Sequence, residues 1–364
     1  MKLVFVVKYY DSYRSDFYQK LGDHKSYEYD DLIQKYLDDY FSFYSSLIRI
    51  LRERGHEAQL VIPNCEVVRA KWSQKQGTKK TYTDRELILS AVDFYKPDAV
   101  FLNSNFEYFG DFAERLKKQV KALFCWISCP YDTSLDLSFF DAVFTLFPPH
   151  HEVFQRQNLN SKLVTAGFDT MVLEKIEQKK STQLIPFSFV GGIGGFHKKR
   201  EMYLKQIAAK TPLQIWGYGF SSNNWLKRLL KNVKQGFAYS KNYRGQAWGL
   251  DMFQVLHNSE ITLNIHGDIA GNHSVNMRLY EATGMGSLLL TDHADNIADL
   301  FIPDLEIVTF KTPEEAIQKY HYYSTHEAER KKIAAAGQKK TLELYNYNRI
   351  ADIFIDEFSK ALTK

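Results

Sequence analysis

From one end to the other the chain alternates short apolar runs with long stretches of helical periodicity. That rhythm suits little except parallel sheets covered by helices. Six runs mark the first half: "KLVFVV" (2–7), "AQLVIP" (58–63), "DAVFLN" (98–103), "ALFCWI" (122–127), "AVFTLF" (142–147) and "KLVTAG" (162–167). Five more follow: "FSFVGG" (187–192), "LQIWGYG" (213–219), "ITLNIH" (261–266), "SLLLTD" (287–292) and "EIVTF" (306–310). Between the first two lies a long amphipathic stretch around residues 30–54, with Gly55 as its stop.

A chain of 364 residues is more than one ordinary core serves, so two α/β domains are expected. The polar segment "EKIEQKKSTQ" (174–183), ahead of Pro186, reads as the linker. The expected division is 1–175, 176–345 and a C-terminal helix at 346–364 packing back toward the first domain. Two doubly wound domains would face each other across a cleft. Ligands in such sheets bind beyond the carboxyl ends of the strands.

Composition excludes several classes. With 47 basic against 43 acidic side chains the net charge is +4, too balanced for a nucleic-acid partner. The N-terminal apolar run is too short for a signal peptide or a membrane span, and a cytoplasmic protein is expected. Three cysteines, Cys65, Cys125 and Cys129, fit reduced core residues, and their spacing offers no metal site. The opening strand leads into "KYYDSYRSD", which lacks glycine, so a nicotinamide or flavin enzyme is disfavoured.

Three turns invite a ligand. "FVGGIGGFHKKRE" runs from a strand through Gly191, Gly192, Gly194 and Gly195 into a helix opened by Lys198, Lys199 and Arg200. Glycines let a phosphate approach the backbone, and a helix N-terminus with cations favours negative charge there. A flexible turn before a solvated basic helix explains the stretch equally well. Gly217 and Gly219 follow the next strand and should line the same edge. The third loop, "NIHGDIAGNHSVNMRLYE", carries His266, Asp268, Asn272, His273 and Asn276 ahead of Arg278 and Glu281. So dense a polar array after a buried strand suits a ligand rich in hydroxyls, or an ordinary hydrogen-bonded loop.

These segments, with "YRGQAWGLDMFQVLHNSEITLNIHG" and "NMRLYEATGMGSLLLTDHADNIADLF", resemble the C-terminal domain of bacterial spore-maturation-protein-like (CgeB-like) glycosyltransferases. Those are relatives of the group 1 glycosyltransferases of GT-B fold, built from two Rossmann-like domains. "LIRILRERGHEAQLVIP" and "FFDAVFTLFPPHHEVFQRQNLNSKLVTAGFD" are similar to the N-terminal domain of such enzymes, more loosely. The resemblance implies a glutamate that accepts hydrogen bonds from the ribose of a nucleotide sugar, at Glu281, with Ala282 and Gly286 in register. It also puts the turn at 191–195 beside the diphosphate and makes Lys199 and Arg200 candidates to neutralise the leaving group. One departure matters: the earlier glutamate of retaining members, eight positions before the ribose glutamate, is replaced by His273.

The expected activity is metal-independent transfer of a sugar from a nucleoside diphosphate sugar, UDP- or dTDP-linked first and GDP-linked second. The acceptor would be a glycan, a lipid-linked glycan or a protein, in surface polysaccharide or glycoconjugate synthesis. The expected donor-binding set is Gly191, Gly192, Gly194, Lys199, Arg200, Gly217, Gly219, His266, Asn272, Asn276, Arg278 and Glu281. No cofactor or metal is expected. His273 and Asp132 are the candidate catalytic groups, Asp132 being preferred over Asp11 and Glu107 as general base of an inverting reaction. The basic stretch "WLKRLLKNVK" (225–234) is compatible with peripheral docking on the inner face of a membrane, or with a solvated face. Two other readings stand beside this one, a sugar-nucleotide epimerase and a non-catalytic sugar-binding or partner subunit whose exposed tyrosines mark a binding surface.

Overall fold

A computed structural model describes residues 1–177, 184–193, 198–218, 241–268 and 271–363. The chain divides into two units, Met1–Thr165 with Tyr347–Lys364, and Ala166–Asn346. All eleven apolar runs form strands.

Unit 1 holds β1 (Lys2–Val6), β2 (Glu57–Val61), β3 (Ala99–Leu102), β4 (Ala122–Trp126), β5 (Ala142–Thr145) and β6 (Ser161–Leu163), in the order β2-β1-β3-β4-β5-β6. Every pairing is parallel, with Leu3 beside Ala58 on one flank and Ala99 on the other. Buried on both faces, these strands need no alternation, which is why they read as continuous apolar runs. "KLVTAG" is the weakest of them: only Ser161–Leu163 pairs, as an edge strand.

The amphipathic stretch is two helices, Tyr29–Asp38 and Phe43–Glu53. Between them Tyr40 adopts φ 54° and Ser42 is extended, which breaks the helical path. Asp39 accepts a hydrogen bond from the buried Tyr13 hydroxyl at 2.9 Å. The tyrosines also pack inward: among the described residues only Tyr10 and Tyr322 are largely exposed. Tyr9, Tyr13, Phe17 and Tyr36 form one cluster, with Phe17 stacked on Tyr36 at 4.0 Å. A tyrosine-rich binding surface is therefore not what these residues build.

The C-terminal helix, Tyr347–Leu362, belongs to unit 1. Its Phe354 stacks on Phe144 at 4.5 Å, and Phe358 lies 4.6 Å from Phe124. Beside them the buried Glu357 takes Lys162 and Lys360, each at 3.0 Å, which fixes the helix along the sheet.

Unit 2 holds β7 (Ile185–Val190), β8 (Gln214–Trp216), β9 (Ser259–Asn264), β10 (Leu288–Asp292) and β11 (Val308–Phe310), ordered β11-β10-β9-β7-β8 and again wholly parallel. Its core joins Phe187, Ile215, Leu263 and Leu290 to Leu204 and Ile207 of the helix Lys198–Lys210 and to Tyr320 of the helix Pro313–Thr325. The strand order reverses at β7, between β8 and β9. Crevices for ligands open at the carboxyl end of such a reversal.

The division between the units falls at Thr165/Ala166, ahead of the 175/176 boundary read from sequence. Phe168 is already tied into unit 2: its amide donates to the Tyr345 carbonyl at 2.8 Å, and its ring fills the space where a side chain on Gly284 would sit. Of the expected linker, residues 174–177 lie in the helix Met171–Glu177, and residues 178–183 are outside the described residues. Cys65 and Cys125 are buried, Cys129 is half-buried, and all three are free thiols. Among the described residues no helix is long and apolar enough to cross a membrane. The basic stretch at 225–234 lies outside them.

Candidate functional site

The carboxyl edge of the second sheet gathers most of the residues singled out in the sequence. After β7 come Gly191 and Gly192, and after β8 comes Gly217; Gly194, Gly195 and Gly219 are outside the described residues. The two turns are zipped together by backbone bonds, Gly191 N to Trp216 O at 3.0 Å and Ile193 N to Tyr218 O at 2.9 Å. A Cβ on Gly217 would stand 2.3 Å from the Gly191 carbonyl oxygen, and one on Gly192 would stand 2.9 Å from the Tyr218 ring. Close approach of one turn to the other is thus enough to require Gly217.

Arg200 lies on the helix Lys198–Lys210 and is only 8% exposed. Its Nη1 donates to Gly192 O at 2.8 Å and its Nε to Ile265 O at 2.9 Å, so one guanidinium fork joins the loop after β7 to the loop after β9. Burial pulls its pKa down to about 10, which leaves it charged at neutral pH. Arg200 is thus engaged in holding the walls of the site, where the sequence suggested a free cation. Lys199 is half exposed, and its Nζ lies 3.5 Å from Asp292 Oδ2.

The first amides of the same helix are occupied. Asp268 Oδ2 accepts from Lys198 N at 3.1 Å and from Lys199 N at 3.5 Å. An anion therefore already sits where the sequence placed a phosphate. Two positions back, His266 is 5% exposed, and both its backbone N (2.9 Å) and its ring Nδ1 (2.6 Å) contact Asp292 Oδ1. Burial pushes the Asp292 carboxyl up, but the hydrogen bonds from the His266 ring and amide, aided by the Lys199 charge, hold it below the ordinary range.

Glu281 sits in the helix Arg278–Gly284, which follows β9 and is buried from Leu279 onward. The carboxylate is 6% exposed, and Arg278 Nη1 stands 2.8 Å from its Oε2. Burial raises its pKa, and the Arg278 charge opposes that. Arg278 also donates from Nε to Val190 O at 3.1 Å, which ties the helix to the end of β7. The double glycine that closes this segment is structural: Gly284 makes room for Phe168, and Gly286 turns the chain at φ +82° into β10.

Other expected contacts go elsewhere. Asn276 pairs reciprocally with Asn264, at 2.7 and 3.3 Å, and so serves the strand end. Asn272 is exposed and its carbonyl holds Asp295 N at 2.9 Å, while His273 beside it is half-buried. In unit 1, Asp132 is exposed and accepts from Ser134 N at 2.9 Å and Ser134 Oγ at 2.7 Å. The Ser134 bonds hold its carboxyl below the usual range, so it is a turn residue and a poor base. Asp11 pairs with Arg14, and Glu107 with Lys8.

Two groups at this edge were not singled out from sequence. Asp292 is the last residue of "SLLLTD", and a carboxylate ending a run led by three leucines was the available signal. Tyr218 stacks on Trp248 at 5.0 Å across the β8 turn, a pairing no local pattern announces.

Two parallel Rossmann-like sheets in this order define the GT-B fold, and solved structures of that fold superpose along the whole chain. A glycosyltransferase from Rickettsia africae ESF-5 is similar with TM-score 0.61 and 12% identity, over 99% of this chain and 98% of that one. The sucrose-phosphate synthase of Thermosynechococcus elongatus gives 0.60 and 10% over the full length of both chains. HepE of Anabaena, in complex with UDP-glucose, gives 0.60 and 10% over 99% and 100%. Residues 199–356 match the family model described as Glycosyl transferase-like, a segment that starts at Lys199 and contains Arg200, His266, Arg278, Glu281 and Asp292. No curated protein matches the chain.

Proposed function

We propose that the chain is a glycosyltransferase whose second unit binds a nucleoside diphosphate sugar. The observation that carries this reading is Glu281: a carboxylate 6% exposed, on a helix at the carboxyl edge of the sheet, inside the segment matched by the family model. Its environment is expensive for a charge, and Arg278 offsets that only in part. A ribose diol has two donors to give such a group.

The diphosphate would then lie toward the start of the helix Lys198–Lys210, at the amides now taken by Asp268 and near Lys199. As the sugar leaves, charge grows on the β-phosphate oxygen, and fixed amides and cations can meet it without a divalent ion. The donor is a UDP- or dTDP-sugar first and a GDP-sugar second. Acceptors are glycans, lipid-linked glycans or proteins, in surface polysaccharide or glycoconjugate synthesis, and the CgeB-like group is the subfamily. Similar solved structures that carry UDP-sugars support the donor class.

The test is release of nucleoside diphosphate from a panel of UDP-, dTDP- and GDP-sugars, with and without a chelator. Turnover of one nucleotide class, unchanged by chelator, is expected. Release from none of them, with or without added acceptor glycans, would overturn the reading.

A further inference from the structure

His266 poses a question that the ribose and glycine contacts leave open. Its Nδ1 stands 2.6 Å from Asp292 Oδ1, so Nδ1 carries the hydrogen and the ring orientation is fixed. Nε2 is buried and, among the described residues, has no hydrogen-bond partner. A buried polar nitrogen without a partner is costly, and native proteins seldom keep one without a use. An imidazole held by a carboxylate on one side and free on the other is the arrangement that lets a histidine gain or lose a proton at the free nitrogen.

Its surroundings say what the partner is. Ile265, just before it, is bound through its carbonyl by Arg200, and Asp268, just after it, caps the amides of Lys198 and Lys199. Both flanks of His266 are therefore tied to the start of the basic helix. The charged and titratable groups gathered there are Asp292 from β10, Lys199 and Arg200 from that helix, Asp268 from the loop itself, Arg278 from the helix after β9 and Tyr218 after β8. Asp268 is the exposed anion of the set, and its place on the helix amides is one a phosphate can take.

We propose that His266, held by Asp292, takes up a proton at Nε2 when a nucleoside diphosphate binds, and donates that N–H to the phosphate that replaces Asp268. This rests on the reading of unit 2 as a nucleotide-sugar site. The proton comes from solvent, and the neutral imidazole becomes an imidazolium with both nitrogens donating. During transfer the acceptor oxygen forms its bond to C1 as the C1–O bond to the phosphate breaks. The electron pair of the broken bond stays on the phosphate oxygen, the acceptor proton passes to solvent, and the Nε2–H donates to the departing phosphate. Asp292 acts through His266 as a positioning residue.

Calorimetric titration of UDP, dTDP, GDP, CDP and ADP in buffers of different ionisation enthalpy tests this directly. The measurement is made at about pH 8, above the ~6 of a phosphate's second ionisation. Close to one proton taken up per ligand is expected for the parent protein. His266→Gln should abolish the uptake and weaken binding about ten-fold, and Asp292→Asn should abolish it too. Glu281→Ala should weaken binding with the proton count unchanged. Binding that depends on Glu281 without proton uptake by the parent protein, or with the same uptake in His266→Gln, would overturn the role of His266 alone. Binding of none of the five would overturn the nucleotide site and this inference together.

Discussion

Arg278 and Glu281 stand 2.8 Å apart, one turn from each other on a buried helix, and the same arginine reaches the carbonyl of Val190 at the end of β7. The pair couples the carboxylate to the strand at which the sheet order reverses. Glu281→Ala should therefore lower affinity for the nucleotide about 10- to 100-fold, the range for hydrogen bonds to a charged group. Because the mutation leaves the buried Arg278 charge without its partner, the melting temperature should fall as well, and affinity is compared at a temperature where both proteins are folded. Calorimetry beside thermal unfolding reads both.

Acidification separates the two roles of that carboxyl. Burial holds its pKa above the ordinary value, so the folded chain binds this proton more readily than the unfolded chain does. The Glu281 contribution to stability consequently declines as pH rises from the ordinary carboxyl range through the raised value. Accepting ribose hydroxyls needs the ionised form and runs the opposite way. Nucleotide affinity of the parent protein should fall on acidification through that window, and Glu281→Gln should lack this component.

Asp268 holds the amides of Lys198 and Lys199, the place proposed for the diphosphate. Asp268→Asn keeps a capping side chain but removes the charge, so a nucleoside diphosphate should bind about three- to ten-fold more tightly, from a dipole interaction of about 1 kcal/mol. Unchanged or weaker binding would show that the carboxylate and the phosphate do not share this place.

Gly217→Ala pushes a methyl group against the Gly191 carbonyl, 2.3 Å from the position of the new Cβ. The turn must shift, at about 1–3 kcal/mol, and both stability and nucleotide affinity should fall. Gly245→Ala is strained for another reason, φ +100° with open space around it, and should affect stability with less effect on binding.

Phe354→Ala removes the ring stacked on Phe144 at 4.5 Å in unit 1. The cavity should cost about 3–5 kcal/mol, visible as a lower midpoint in denaturant, while nucleotide affinity of the folded fraction stays the same.

Much of this architecture is legible in sequence because parallel strands buried on both faces must be apolar throughout. β4 and β10 are plain for that reason. What sequence hides is whatever depends on contact across the sheet. Nothing local says that Arg200 bonds the carbonyls of Gly192 and Ile265, or that Gly217 exists to let Gly191 close in. Composition cannot tell a buried tyrosine cluster from an exposed one, and Tyr13 and Tyr36 prove to be buried. Asp132 carried the ordinary ambiguity of an aspartate before Thr and Ser, and the structure places it in the turn. Glu281 could be named from its helix and the motif it resembles, yet the arginine that holds it to β7 needed the fold.

The most direct test of the nucleotide site is thermal stabilisation by UDP, dTDP and GDP, measured on the parent protein and on Glu281→Ala. The account predicts a concentration-dependent rise in melting temperature with one nucleotide class, and loss of that rise in the variant. A rise of equal size in both proteins, or no rise with any nucleotide, would contradict it.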